Sequence, residues 1–151
     1  HYIINLQGDL PTINSIALEK VLNLLSSEEN EIGTLVTQFE REEDLKKEQF
    51  VKAVCNLSDS ETESYAENFA RKQGDYDSKN LFHHIGIYSF KRDALEKFVT
   101  LSQTDREKNE KLEQLRALDN NMKIKIGLID CLPLGVDTPD DLEEIRKILS
   151  K

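Results

Sequence analysis

The segment His1-Tyr2-Ile3-Ile4-Asn5-Leu6-Gln7-Gly8-Asp9-Leu10-Pro11 opens the chain as a short apolar strand running into a Gly-Asp turn. Asn14 to Leu25 follows, with Ala17, Val21, Leu24 and Leu25 on one helical face behind Asn14 as N-cap. A strand succeeded by a helix, repeated along a chain, indicates an α/β sheet. In open sheets of this kind ligands gather outside the carboxyl ends of the strands. Asp9, just past a flexible glycine and ahead of Pro11, is ordinary turn chemistry. The same carboxylate also suits Mg²⁺, which takes one or two protein carboxylates and completes its shell with water and substrate phosphates. On these residues alone both readings stand.

Working outward, Ile32 to Thr37 reads as a second strand, and the charged Glu40–Glu48 run as a solvated helix or loop. Phe50 to Leu57 is rich in residues that suit a pleated, half-buried setting. Ser58–Ser64 and Gln73–Asn80 are loops, the latter broken at Gly74-Asp75, and Tyr65–Arg71 is a weak strand. Leu81 to Phe90 carries the clearest alternation. It puts Phe82, His84, Gly86, Tyr88 and Phe90 on one face and His83, Ile85, Ile87 and Ser89 on the other. A helix with Ala94, Leu95, Phe98 and Val99 as its buried stripe follows. Next come one charged helix over Asp105–Leu118 and a strand over Met122–Asp130. A last helix is marked by Thr138 as N-cap, Pro139 at N1 and Asp141 at N3.

The net charge of −9 argues against a nucleic-acid partner, which calls for a basic face. It leaves room for a nucleotide neutralised by Mg²⁺. No apolar run reaches the roughly 20 residues a membrane helix needs. Cys55 and Cys131 lie far apart in apolar surroundings and without CxxC spacing, so buried free thiols and a reducing cytoplasm are expected. No Ser/His/Asp triad or zinc spacing is visible. His83 and His84 fall on opposite strand faces, which disfavours a metal pair. His84 alone reads as a packed or surface strand histidine, while with Tyr88 on the same face the two polar-tipped rings above Gly86 also make a shelf that suits a sugar. Glu113 and Gln114, between core leucines, otherwise read as a helix edge, and Asp137 as a favourable charge ahead of a helix N-terminus.

Four stretches add a resemblance. They are Asn5-Leu6-Gln7-Gly8-Asp9, His84-Ile85-Gly86-Ile87-Tyr88, Lys111 to Leu118 (KLEQLRAL) and Val136 to Leu142 (VDTPDDL). In order and spacing they resemble the later part of the 3-deoxy-manno-octulosonate cytidylyltransferase (CMP-Kdo synthetase) family of Gram-negative bacteria. The resemblance implies a Rossmann-like, mixed and mostly parallel sheet with flanking helices. Residues 1–151 would form one partial domain for sugar-acid binding and dimerisation. It implies a nucleotidyltransferase that joins CTP to Kdo for lipopolysaccharide synthesis, releases pyrophosphate, requires Mg²⁺ and works as a cytoplasmic homodimer.

Carried over by position, Asp9 and Asp137 would be the catalytic, metal-holding carboxylates. Gln7, His84, Tyr88, Glu113 and Gln114 would line the Kdo pocket, with Arg71 meeting the sugar acid. The chain departs from the family pattern at Leu10, where an acidic residue is usual, at Ala70 and Lys72 beside Arg71, and at His83, where Arg is common. The Gly/Arg/Lys loop that grips CTP phosphates in the family has no counterpart in residues 1–151. The chain alone is therefore expected to be inactive in nucleotide transfer. Two other readings carry forward: a related synthetase for another acid sugar such as sialic acid, and a non-catalytic remnant binding a sugar or a partner.

Overall fold

Residues 1–8, 10–130, 136 and 139–150 are described by a computed structural model, without the side chains of 140, 141, 144, 148 and 149. Asp9, Cys131, Asp137 and Thr138, and the Asp141 side chain, lie outside the described residues. The described strands form a seven-stranded sheet. They are β1 (Tyr2–Leu6), β2 (Ile32–Thr37), β3 (Lys52–Val54), β4 (Glu63–Tyr65), β5 (Asn68–Ala70), β6 (Leu81–Lys91) and β7 (Ile124–Leu128). The order is β4-β7-β2-β6-β3-β5, with β1 also on β6.

The sheet is built around β6, whose 11 residues let it pair with three strands. It takes β2 along one edge, and β3 and β1 in succession along the other. β2, between β6 and β7, is buried at all of its positions, as a central strand with both faces covered should be.

The sheet is mixed, but the expectation of mostly parallel strands is corrected. Among the described pairings only β2 with β7 is parallel, and the others are antiparallel. The short loops around β3, β4 and β5 return the chain without a crossover helix, and a parallel connection needs one.

Two apolar layers cover the sheet. On one face α1 (Ser15–Asn23) packs Ala17, Val21 and Leu24 onto Leu35, Ile85 and Ile87. Asn14 caps it, its side chain accepting from the Ala17 amide at 2.9 Å. Gly33 permits this approach: a Cβ there would lie 3.0 Å from the Val21 carbonyl and 2.5 Å from Ser89 Oγ. On the other face lie α2 (Arg92–Thr100) and α4 (Gln114–Asp119), and Phe98 and Leu115 join Phe82, Phe90, Ile124 and Ile126. Val99, expected in the buried stripe of α2, is 66% exposed. The helix covers too little of the sheet to bury a position on its flank.

The single helix expected over Asp105–Leu118 is two. α3 (Asp105–Glu110) opens with a full capping box between Thr104 and Glu107 and ends where Lys111 turns left-handed at φ 55. The break rotates the chain so that both Leu112 and Leu115 are buried. β1 is exposed along most of its length, including Tyr2, Ile3 and Leu6, and among the described strands it pairs with β6 alone. The final helix, α5 (Pro139–Leu149), begins at the expected proline.

Candidate functional site

The alternation of β6 delivers His84, Gly86 and Tyr88 to the face shared with α4. The His84 and Tyr88 rings lie 5.4 Å apart, and Phe69 of β5 meets His84 edge-on at 5.0 Å. His83 points the other way, stacked on Phe39 at 5.2 Å and against Phe50 at 4.9 Å. The two histidines therefore cannot share a ligand. Asn5 of β1 and Thr34 of β2 are both in register with Tyr88, one on each side. One step beyond β1, Gln7 lays its amide over Gly86, where a Cβ would come within 3.3 Å of Gln7 Oε1. Gly86 thus makes room for Gln7 between the two rings.

Burial sets the charge state of the shelf. It pushes the His84 imidazole down to about 3, with help from His83. Burial first, and then the nearby Glu113 carboxylate, push the Tyr88 phenol up. Both groups are neutral at pH 7. His84 is then a poor base and Tyr88 a poor acid, so they suit binding and orientation better than proton transfer.

Glu113, at the start of α4, lies near Tyr88, and Gln114 follows it as the first, buried residue of the helix. Their placement depends on the join between α3 and α4, where Arg116 donates to Glu107 from Nε at 2.8 Å and from Nη2 at 2.5 Å. The Arg116 guanidinium also lies over the Phe98 ring at 4.8 Å. Arg71 closes the end of α3, donating to the carbonyls of Glu110 at 2.9 Å and Lys111 at 3.2 Å, and to Glu48 at 3.4 Å. A cation at a helix C-terminus is favourable, and a guanidinium with five N–H donors keeps some in hand.

Among the described residues every buried side-chain nitrogen or oxygen has a hydrogen-bond partner. Among the described residues His84 makes one side-chain hydrogen bond, through Nε2 to Thr34. No hydrogen bond among the described residues reaches its Nδ1, the Tyr88 hydroxyl or the Gln114 amide, and none of these is a fully sealed unpaired atom. Such convergent, unpartnered polar groups on an apolar floor are what a small polar ligand requires. A separate groove between β5 and α3, lined by Asn68, Tyr76 and Arg106 among others, offers less. There Asn68 Nδ2 donates to the Tyr76 hydroxyl, and Arg106 is engaged by Asp119 and Asn68.

The structure therefore brings Gln7, His84, Tyr88 and Glu113 together, places Gln114 next in chain to Glu113, and gives Arg71 a backbone-bonding role at the end of α3. Asp9 and Asp137 are outside the described residues. Two polar residues of interest escaped sequence reasoning. Lys52 is buried in β3, its ammonium donating to the carbonyls of Lys47 and Arg71 at 2.6 Å each, and burial lowers its pKa. Thr34 is buried in β2 against His84. Its signal was a hydroxyl in the interior of a strand flanked by Ile32, Leu35 and Val36.

Sheet order, flanking helices and site together define a nucleotidyltransferase-like α/β fold. UDP-glucose pyrophosphorylase in its apo form shares it at a TM-score of 0.69 and 11% identity, over 99% of this chain and 54% of that one. A solved CMP:2-keto-3-deoxy-manno-octonic acid synthetase complexed with CTP superposes at a TM-score of 0.86 with 28% identity. That match covers 99% of this chain and 61% of that one.

A family model described as cytidylyltransferase matches residues 1–124, and the chain belongs to that family. It is 44% identical over 149 residues to the 3-deoxy-manno-octulosonate cytidylyltransferase of Rhizobium etli (strain CIAT 652), covering 99% of this chain and 59% of that protein. The protein of that name from Paramagnetospirillum magneticum (strain ATCC 700264 / AMB-1) is 44% identical over 147 residues, 97% of this chain and 60% of that protein. The chain thus spans about 59% of the length of such relatives.

Proposed function

We propose that this chain is the sugar-acid-binding part of a CMP-Kdo synthetase. In that reaction the anomeric hydroxyl of Kdo attacks the α-phosphate of CTP. A C–O–P bond forms, the bond from the α-phosphorus to the bridging oxygen breaks, pyrophosphate leaves, and the hydroxyl proton passes to solvent. The protein's contribution is positioning and charge neutralisation.

The observation that carries this reading is the cluster of neutral polar side chains on one face of β6, with His84 and Tyr88 in ring contact, Gln7 over Gly86 and Glu113 near Tyr88. A polyhydroxylated ligand needs several hydrogen-bond partners and no strong acid or base among them. The remaining N–H groups of Arg71 would take the sugar carboxylate. Similarity to relatives named for Kdo supports the choice of sugar.

Mg²⁺ belongs to the same proposal. Asp9 and Asp137 would hold it, and the support is the donor chemistry alone: two carboxylates suit Mg²⁺, which keeps its other positions for water and phosphate. When bound, the ion would neutralise charge on the triphosphate. Homodimeric assembly, a place in lipopolysaccharide synthesis and a cytoplasmic location complete the reading, and they rest on the family resemblance. The test is calorimetric titration of the chain with Kdo and, separately, with sialic acid. Saturable binding of Kdo alone is the expected result, and a preference for sialic acid would replace Kdo as the substrate.

A further inference from the structure

We infer that Thr34 is a positioning residue that fixes the tautomer of His84, so that Nδ1 is presented as an acceptor for a ligand hydroxyl and turns carboxylate oxygens away. The inference rests on the sugar-binding reading above and narrows it to the kind of group each side chain can meet.

The pairing of β2 with β6 slips between Thr34 and Leu35. Thr34 is opposite Tyr88 and Leu35 opposite Ile85, so Gly86 and Ile87 have no register partner on β2. The buried Thr34 side chain enters this irregularity. Its hydroxyl donates to the Ile87 carbonyl at 2.7 Å and stands 3.3 Å from that of Ile85. A threonine hydroxyl has one hydrogen to give. With that hydrogen on a carbonyl, the oxygen can meet His84 Nε2, at 3.0 Å, only as an acceptor. Nε2 therefore carries the imidazole hydrogen.

A neutral imidazole has one N–H and one bare nitrogen. Burial keeps this ring neutral, so Nδ1 is the bare one. It has no hydrogen-bond partner among the described residues, and it is not a fully sealed unpaired atom, since none is present there. Phe69 and Tyr88 hold the ring from the sides and stop it from flipping freely. What remains is a fixed lone pair beside Tyr88 that a ligand hydroxyl can meet. It attracts an O–H donor and repels an anionic oxygen. The carboxylate of an acid sugar must then lie elsewhere in the pocket, and a hydroxyl must face His84.

Three forms of the full chain test this: the natural protein, Thr34→Val and Thr34→Ser. Long-range proton–nitrogen NMR of His84 reads the tautomer without ligand. The expected pattern is a protonated Nε2 and a bare Nδ1 in the natural chain and in Thr34→Ser, with a mixed or inverted tautomer in Thr34→Val. A proton on Nδ1 in the natural chain would overturn the inference even if the valine variant fails to fold. A folded Thr34→Val with an unchanged tautomer would overturn it equally.

Kdo is then titrated in. The expected result is a shift of the Nδ1 resonance, with affinity in Thr34→Val weakened roughly five- to tenfold, the size of one ordinary hydrogen bond, and restored by serine. Shifts at Tyr88 and Gln114 without any at His84 Nδ1 would refute the assigned contact and leave the sugar site standing. No shift at any of these residues would refute the sugar reading, while the tautomer is already decided by the ligand-free spectra.

Discussion

Arg116 grips Glu107 with two hydrogen bonds across the turn from α3 to α4, and Glu107 also caps α3 by accepting from the Thr104 amide. The pair is nearly closed to solvent, with the Glu107 side chain 5% exposed. Removing one member leaves the other charge buried and unpaired. Glu107→Ala is expected to cost about 3 kcal/mol, read as a lower urea midpoint at unchanged slope. Because α4 carries Glu113 and Gln114, affinity for Kdo should fall with it. A midpoint within error of the natural chain would show that the two helices are held by apolar packing alone.

Lys111 is a second feature of that turn. Its φ of 55 lies in the left-handed region, which costs a side-chain-bearing residue about 1–2 kcal/mol. Glycine relieves the strain but adds freedom to the unfolded chain. Lys111→Gly should therefore stabilise the protein by roughly 0.5 kcal/mol, measured by urea unfolding. A loss of stability would mean that the lysine side chain makes a contribution larger than the strain.

The turn from α3 to α4 also marks where sequence reasoning stopped. α1 and β6 were legible because their apolar period matched their burial and Asn14 marked a boundary, and β2 as a short run rich in apolar residues. The Asp105–Leu118 run kept a helical period through Lys111, and lysine is a good helix former, so nothing local announced the break. That break depends on Arg71, distant in sequence, taking the end carbonyls of α3. Strand direction was hidden for a similar reason: a strand's residues report which faces are buried and not the sense of its neighbours. In the site, strand alternation placed His84 and Tyr88 together and His83 away from them. Thr34 was missed because its partner sits on another strand, across a slip in register that no single segment encodes.

His84 makes stability depend on pH. Its folded-state value of about 3 lies below the ordinary 6.5, so as pH falls through 6.5 the unfolded chain takes up a proton that the folded one refuses. Stability is thus complete above about 6.5 and declines toward 3. Between pH 7 and 5 this amounts to up to about 2 kcal/mol. His83, lowered in the same direction by burial and by Lys52, adds to it. Urea unfolding at the two pH values should show the decline, and His84→Asn should reduce it without abolishing it. An equal decline in that variant would assign the whole effect to His83.

The metal proposal is tested on the two carboxylates separately. Asp9→Asn and Asp137→Asn should each weaken Mn²⁺ binding in the nucleotide-bound protein, by roughly tenfold or more for the loss of one anionic ligand. Mn²⁺ relaxation of solvent water reads this directly. Unchanged titrations in both variants would remove these residues from the metal site.

The central claim is that an acid sugar sits against the face of β6 and the start of α4. The most direct measurement is a crystal structure of the chain with Kdo. The account predicts the sugar among Gln7, His84, Tyr88, Glu113 and Gln114, with a hydroxyl on His84 Nδ1 and its carboxylate toward Arg71. Kdo in the groove of Asn68, Tyr76 and Arg106, or with its carboxylate on His84, would contradict it.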